Sequence, residues 1–191
     1  WLRSHKRISI GVGLACLVLI SWLSLTAADK NVIADNIPRP PSKVETAFKD
    51  VDVVALSPAR QRVVALMKQE YAKEPKYFDE NVMVYTQGNR ESWCADFISW
   101  VYRKADTELI NPHSGHWRIP GVLTLQKYFI DNSAYQAADS GYIPKPGDTV
   151  FYIGAQTPDN TSDEHAALVI KSDGKTMTTL GGNEGTGVMR V

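Results

Sequence analysis

The run Pro-Lys-Pro-Gly-Asp at residues 144–148 most constrains the fold, because the spacing of apolar residues changes across it. Before this run, apolar residues recur at helical intervals, and after it they alternate as in half-buried strands. The segments after it that we predict as strands are residues 149–153, 165–171, 175–180 and 187–191. Helices followed by an antiparallel sheet indicate an α+β domain, with the N-terminal helices packed on the sheet.

Three helices are predicted before the break. The first has Ser57 as its N-cap and Pro58 at its first position, and its apolar face ends before Pro75. The second runs from Cys94 to about Ala105, with Asn89 or Ser92 as its cap. A short third helix is predicted over residues 122–131.

The N-terminal region carries an uncharged apolar run over residues 8–27, preceded by Arg3, Lys6 and Arg7. This length is sufficient for a single transmembrane helix, and the basic flank predicts that the rest of the chain lies outside the cytoplasm. A cleaved signal peptide is the competing interpretation, because residues 26–28 are small. We therefore predict a membrane anchor or signal segment at 1–28, a proline-containing linker at 29–56, and one domain at 57–191.

Composition excludes several classes of function. The chain of 191 residues has 21 basic and 21 acidic side chains, so its net charge of zero does not predict nucleic-acid binding. Cys16 lies in the apolar run, which leaves one cysteine and four scattered histidines without the spacing of a zinc site. No metal and no cofactor are predicted, and the oligomeric state is left open.

Cys94 lies at the start of a predicted helix and has no evident disulfide partner. The free N–H groups and positive dipole of a helix N-terminus favour the thiolate, which is the nucleophilic form. However, Cys94 also shares an apolar stripe with Phe97, Ile98 and Val101. This helix alone therefore favours a cysteine that only packs in the core.

The residues 172–175, Ser-Asp-Gly-Lys, predict a tight hairpin turn between two strands. If Ser172 pairs with Lys175, His165 faces residue 182 and lies beside Asn183. A thiol, a histidine and a side-chain amide in this order are the components of a Cys-His-polar triad, in which the amide fixes the imidazole tautomer.

Four segments in succession resemble the signatures of the CHAP family, the cysteine, histidine-dependent amidohydrolases/peptidases, which are relatives of the NlpC-type cell-wall peptidases. The segments are residues 93–102, 144–151, 165–170 and 181–183. The resemblance covers about residues 58–191. It implies a papain-like α+β domain that cleaves amide bonds in peptidoglycan, either between muramic acid and L-alanine or within the stem or cross-bridge peptides.

The resemblance also implies roles for individual residues. Cys94 matches the nucleophile, His165 the general base and Asn183 the polar residue that orients the imidazole. Many family members have a glutamate two positions before that asparagine, where this chain has Gly181. The orienting role is therefore assigned to Asn183, with Glu184 ranked below it. The family usually continues into a further strand, which raises the expectation that the C-terminus is truncated.

Five further residues are candidates for the oxyanion hole or the substrate groove. By analogy with papain-like enzymes, Gln87 is a candidate oxyanion donor. The candidates for the groove are Trp93, His116 and Trp117, together with Tyr85. Packing in the core or at its rim is the alternative role for the aromatic residues.

The predicted function is a peptidoglycan amidase or endopeptidase that uses a Cys-His-Asn mechanism. Its partners would be peptidoglycan and the bacterial membrane, contacted through residues 8–27. The predicted location is the cytoplasmic membrane, with the catalytic domain on the periplasmic or extracellular side, or secretion after signal cleavage. The alternatives are a non-catalytic wall-binding or scaffold module and a transamidase or acyltransferase that uses the same triad.

Overall fold

The computed structural model describes residues 41–156 and 162–191, with side chains described for 41–154 and 164–191. Within these ranges the chain forms five helices followed by four strands. The predicted α+β order, with helices first and an antiparallel sheet after residue 148, is confirmed. No helix among the described residues is long and apolar enough to cross a membrane. The anchor or signal segment predicted at residues 8–27 lies outside the described ranges.

The compact unit begins at Pro41, so part of the segment predicted as a linker is folded. Helix α1 (Lys43–Ala47) starts with a capping box, in which the Glu45 N–H donates to Ser42 Oγ at 3.1 Å and the Ser42 N–H donates to Glu45 Oε2 at 2.6 Å. Phe48, directly after this helix, is 6% exposed and belongs to the hydrophobic core. A helix of five residues is too short to produce a sustained apolar period in the sequence.

Helix α2 (Pro58–Ala72) begins as predicted, with Ser57 at the N-cap and Pro58 at the first position. Helix α3 (Glu80–Thr86) was not predicted, and the side chain of Asp79 caps it by accepting from the Val82 N–H. Its last residue is followed by Gln87 in the left-handed conformation, with φ of 55°.

Helix α4 (Cys94–Lys104) is the central helix of the fold and begins at the predicted residue. Its N-cap is Trp93, which makes no side-chain capping bond, so the predicted capping by Asn89 or Ser92 is wrong. Tyr85 and Trp93 stack with ring centroids 5.7 Å apart, and both rings lie against Phe97. Burial of these rings fixes the first turn of α4 in the core. Helix α5 (Val122–Asp131) follows as predicted.

The four strands form one antiparallel sheet in the order β1-β2-β3-β4. Their bounds are β1 (Thr149–Gln156), β2 (Ser162–Ser172), β3 (Met177–Glu184) and β4 (Val188–Arg190). Alternate residues of β2, Ala166, Leu168 and Ile170, lie in the hydrophobic core.

The turn between β2 and β3 is longer than predicted. Ser172 pairs with Met177 rather than Lys175, and Asp173 Oδ1 accepts from the Lys175 and Thr176 N–H groups at 2.8 and 2.7 Å. The register then shifts by one residue between Val169 and Lys171, which reduces the difference from the predicted pairing from two residues to one. Ala167 therefore faces Gly181, one residue beyond its predicted partner.

Candidate active site

Cys94 is buried at the first position of α4, and its thiol lies against strand β2. The backbone N–H groups of Ala166 and Ala95 favour the thiolate and act to lower the pKa of Cys94. Burial outweighs them and raises the pKa of the Cys94 thiol above its ordinary value, and the nearby Asp96 carboxylate adds to the rise. The N–H groups at the helix start act in the predicted direction, but burial has the larger effect on this pKa.

His165 supplies a candidate base, because it immediately precedes Ala166 in β2. Its ring is half-buried and stacks on Tyr152, its partner on β1, with centroids 6.2 Å apart. His165 Nε2 lies 2.8 Å from Glu184 Oε1. An ionised carboxylate accepts from Nε2–H, which leaves the other ring nitrogen, Nδ1, unprotonated and able to take a proton.

The residue that contacts the imidazole is Glu184 and not Asn183, which corrects the predicted order of the two candidates. Asn183 has a φ of 60° and lies where the register between β3 and β4 shifts, between Gly181 and Glu184. Among the described residues its side chain makes no hydrogen bond to His165. The left-handed turn at Asn183 carries the chain so that the next side chain, Glu184, reaches the imidazole.

Gly181 explains how Glu184 can occupy this place. A Cβ atom at position 181 would overlap Glu184 Oε1 and lie 2.8 Å from His165 Nε2. The carboxylate therefore fills the space that a side chain on Gly181 would take. At the neighbouring Gly182, a Cβ would overlap the ring of Trp93, so β3 approaches the start of α4 as closely as its backbone allows.

The structure places the five additional candidates in different environments. Trp93 is buried in the core, and Trp117 is buried beneath Arg103, whose guanidinium carbon lies 4.8 Å from the ring centroid. Neither lines a groove, and the same holds for the buried Tyr85. Gln87 and His116 are exposed, and their roles as oxyanion donor and groove residue stay predictions.

Arg118 connects two acidic residues near the thiol, which the sequence analysis did not foresee. Its Nε donates to Asp96 Oδ1 at 2.6 Å, and a terminal nitrogen contacts Glu91 Oε1. Asp96 is fully buried and its Oδ2 has no hydrogen-bond partner among the described residues. Burial raises the pKa of Asp96 above its ordinary value, while the ion pair with Arg118 opposes the rise.

Over the part of the chain that the structure describes, no group of three or more His, Cys, Asp or Glu side chains is arranged to hold a metal ion.

Comparison with known families identifies the class to which this arrangement belongs. The family model of the CHAP domain matches residues 85–183, which is more than half of the 191-residue chain and contains Cys94, His165 and Asn183. The chain therefore belongs to the CHAP family, as the sequence resemblance predicted. Its domains are generally cysteine- and histidine-dependent amidohydrolases that act on peptidoglycan. No curated protein and no solved structure matches the chain.

Proposed function

We propose that this protein hydrolyses amide bonds of peptidoglycan through a papain-like mechanism, with Cys94 as nucleophile, His165 as general base and Glu184 as the residue that positions His165. The observation that carries the proposal is the position of the Cys94 thiol against Ala166, next to the 2.8 Å pair of His165 and Glu184. Family membership supplies the substrate class. The individual bond, at the muramic acid or within the peptides, is left to product analysis.

In the first half of the reaction, His165 Nδ1 takes the thiol proton of Cys94 as the sulfur attacks the amide carbonyl. The resulting oxyanion would accept a hydrogen bond from the Cys94 backbone N–H, which is unsatisfied within the helix because Cys94 is the first residue of α4. Gln87 is the candidate second donor. The tetrahedral intermediate collapses as the imidazolium gives its proton to the departing amine, which leaves a thioester on Cys94.

In the second half, His165 removes a proton from water, which attacks the thioester and releases the carboxylic acid and the thiol. The Glu184 carboxylate accepts from Nε2–H in both halves, so it stabilises the imidazolium each time it forms. It acts through His165 and does not touch the substrate.

The test uses the full chain and purified sacculi, with released fragments identified by mass spectrometry and new amino groups counted. Cys94→Ala should release none. Glu184→Gln should lose most of the turnover, because a neutral amide stabilises the imidazolium poorly. Asn183→Gly is the matched control, since glycine accepts the positive φ of this position, and it should retain activity. Equal release of fragments by the wild type and by Cys94→Ala would contradict the role of Cys94 as nucleophile.

Two other outcomes address the alternatives. Transfer of the acyl group to an added amine in preference to water would identify a transamidase. Binding of sacculi without release by any variant would identify a non-catalytic module.

We also propose that residues 8–27 anchor the protein in the cytoplasmic membrane or direct its export, which would place the domain where peptidoglycan is. The support is the uncharged run after Arg3, Lys6 and Arg7. Protease added to spheroplasts should digest the domain while the membrane stays intact. Protection of the domain until the cells are lysed would contradict the proposed orientation.

A further inference from the structure

A cavity of about 640 Å³ lies away from Cys94, between strand β1, the β2–β3 turn and residues 132–144. We refer to residues 132–144 as the strap. Tyr102, near the end of α4, lines this cavity, and Cys94 begins the same helix eight residues earlier. At the rise of an α-helix, this separation is about 12 Å. The cavity is therefore distinct from the thiol site but belongs to the same folded unit.

The strap leaves this space open because it contacts the protein mainly near its ends. The Tyr142 hydroxyl donates to Asp148 Oδ2 at 2.8 Å, and Gln126 Nε2 donates to the Tyr135 hydroxyl at 3.4 Å. Residues 136–141 are exposed, and their hydrogen bonds with the described residues stay within the strap. A ligand beneath the strap would therefore displace few existing contacts.

The lining combines aromatic rings with neutral polar groups. The aromatic residues are Tyr102, Phe129, Tyr135, Tyr142 and Phe151. Gln136 adds an amide, and Ser172 and Thr176 add two hydroxyl groups whose oxygens can accept a hydrogen bond while they donate to the Thr176 carbonyl and to Asp173 Oδ2. Aromatic faces bind the C–H faces of sugar rings, and polar groups at their edges bind hydroxyl and acetamido groups.

The charges in the cavity are largely neutralised. Arg60 Nη2 donates to Asp148 Oδ1 at 2.6 Å and its Nη1 donates to the Pro146 carbonyl at 2.8 Å. Lys175 has no ion-pair partner among the described residues, and it lies at the β2–β3 turn. Since the charges are largely paired within the protein, this chemistry does not require a strongly charged ligand.

We propose that this cavity is a second binding site, for an oligosaccharide of N-acetylated aminosugars. The volume lies within the range of roughly 300–1,000 Å³ that is usual for small-molecule sites. The choice of sugar rests on the proposed function, because such sugars form the glycan strands of peptidoglycan. A polymer held at this site would raise the effective concentration of its peptides at Cys94.

The test measures binding with the Cys94→Ala chain in phospholipid nanodiscs, so that no turnover and no detergent interferes. Isothermal titration with chitotetraose, the tetramer of N-acetylglucosamine, should give saturable binding, and a stem tetrapeptide should not compete. Tyr135→Ala should weaken chitotetraose binding by roughly 3- to 10-fold, since an aromatic contact contributes about 0.5–1.5 kcal/mol. Gln136→Ala should also weaken it.

Tyr77→Ala is the matched control, because Tyr77 is 40% exposed, close to the 37% of Tyr135, and does not line the cavity. Its affinity for chitotetraose should equal that of the parent. Absence of saturable binding, equal losses in Tyr135→Ala and Tyr77→Ala, or displacement by the peptide would each overturn the proposal. Saturable binding of chitotetraose together with an inactive wild type would refute the proposed hydrolase activity and still support the second binding site.

Discussion

At the scale of single residues, the candidate site depends on the space that Gly181 leaves for the side chain of Glu184. The carboxylate that holds His165 comes from position 184, and the missing side chain at position 181 provides its space. The two residues therefore act as a unit, although the chain between them includes Asn183 in a left-handed turn. A substitution at either position should affect the imidazole in the same way.

Gly181→Ala should lower kcat by roughly 10- to 100-fold, because the added methyl group would displace the Glu184 carboxylate and leave the imidazole free to rotate. The measurement is the initial rate of fragment release from sacculi. Gly121→Ala is the matched control, since a Cβ there would make only an ordinary contact of 3.4 Å with Thr124 Oγ1. A Gly181→Ala protein that is folded and as active as Gly121→Ala would contradict the coupling.

The pH dependence of Cys94 alkylation follows from its burial. Because burial raises the pKa of the thiol, the thiolate fraction at neutral pH is smaller than that of an exposed cysteine. The rate of alkylation by iodoacetamide should keep increasing beyond pH 9, the ordinary range of a thiol. Mass spectrometry of the intact chain follows the reaction, and Cys94→Ala reveals any labelling of Cys16. A plateau already at pH 6 would indicate a preformed thiolate–imidazolium pair instead.

At the scale of elements, Arg118 joins the segment after α4 to the first turn of that helix. The next residue, Ile119, extends the connection, because its N–H donates to Ser99 Oγ at 3.2 Å. Asp96 lies in the first turn of α4, where the helix dipole favours a carboxylate. The structure shows in addition a buried ion pair, which fixes the segment of residues 111–119 along α4.

Arg118→Met should destabilise the fold by about 3 kcal/mol, since it leaves the buried Asp96 carboxylate without its cation. Without Arg118, the pKa of Asp96 should rise further. A folded-state pKa above the unfolded value means that stability is lost as pH increases, so the deficit should be larger at pH 8 than at pH 5. Urea denaturation of the wild type and Arg118→Met at both pH values provides the measurement.

Asp96→Asn combined with Arg118→Met is the matched control for this effect, because it removes the charge that titrates. The double variant should lose the difference between pH 5 and pH 8. A deficit in Arg118→Met that does not change with pH would show that Asp96 is not the group responsible.

The elements could be predicted from the sequence where their signals were local. The start of α4 and the position of α5 followed from apolar spacing, and the strands followed from alternation after residue 148. The hairpin register was wrong by one residue at Ala167, because Asp173 caps a longer turn and an irregularity follows Val169. Neither feature has a distinctive residue pattern.

The choice between Asn183 and Glu184 was beyond sequence reasoning for a similar reason. It depends on a positive φ at Asn183 and on the empty space above Gly181. Asn followed by Glu in a glycine-rich segment is compatible with many turns. The Gly181 departure from the family pattern was the available signal, and it indicated that the orienting group had to come from another position.

At the scale of the whole molecule, the domain includes more chain than its CHAP match. The match covers residues 85–183, whereas the compact unit starts at Pro41. Helices α1 and α2 lie before the match, and Phe48, Val63, Val64 and Met67 contribute to the same core as α4. The region matched by the CHAP model thus packs against helices that lie outside the match.

Phe48→Ala should reduce the free energy of unfolding by about 3 kcal/mol, because it empties a buried aromatic position. Val54→Ala is the matched control from the same segment, since Val54 is 89% exposed and should change stability by less than about 0.5 kcal/mol. Denaturation midpoints measure both. Equal, small effects would restore the interpretation of residues 41–56 as a linker.

The space shared by positions 181 and 184 also restricts how such a site can evolve. A glutamate at each position would place two like charges in a volume that holds one carboxylate, because even a Cβ at position 181 overlaps Glu184 Oε1. A lineage that moves the carboxylate from one position to the other therefore cannot pass through an ancestor that keeps both. The intermediate would lack a carboxylate partner for His165, or both substitutions would have to arise together. The carboxylate that contacts His165 is therefore better defined by its location in space than by its position in the chain, which a sequence motif does not capture.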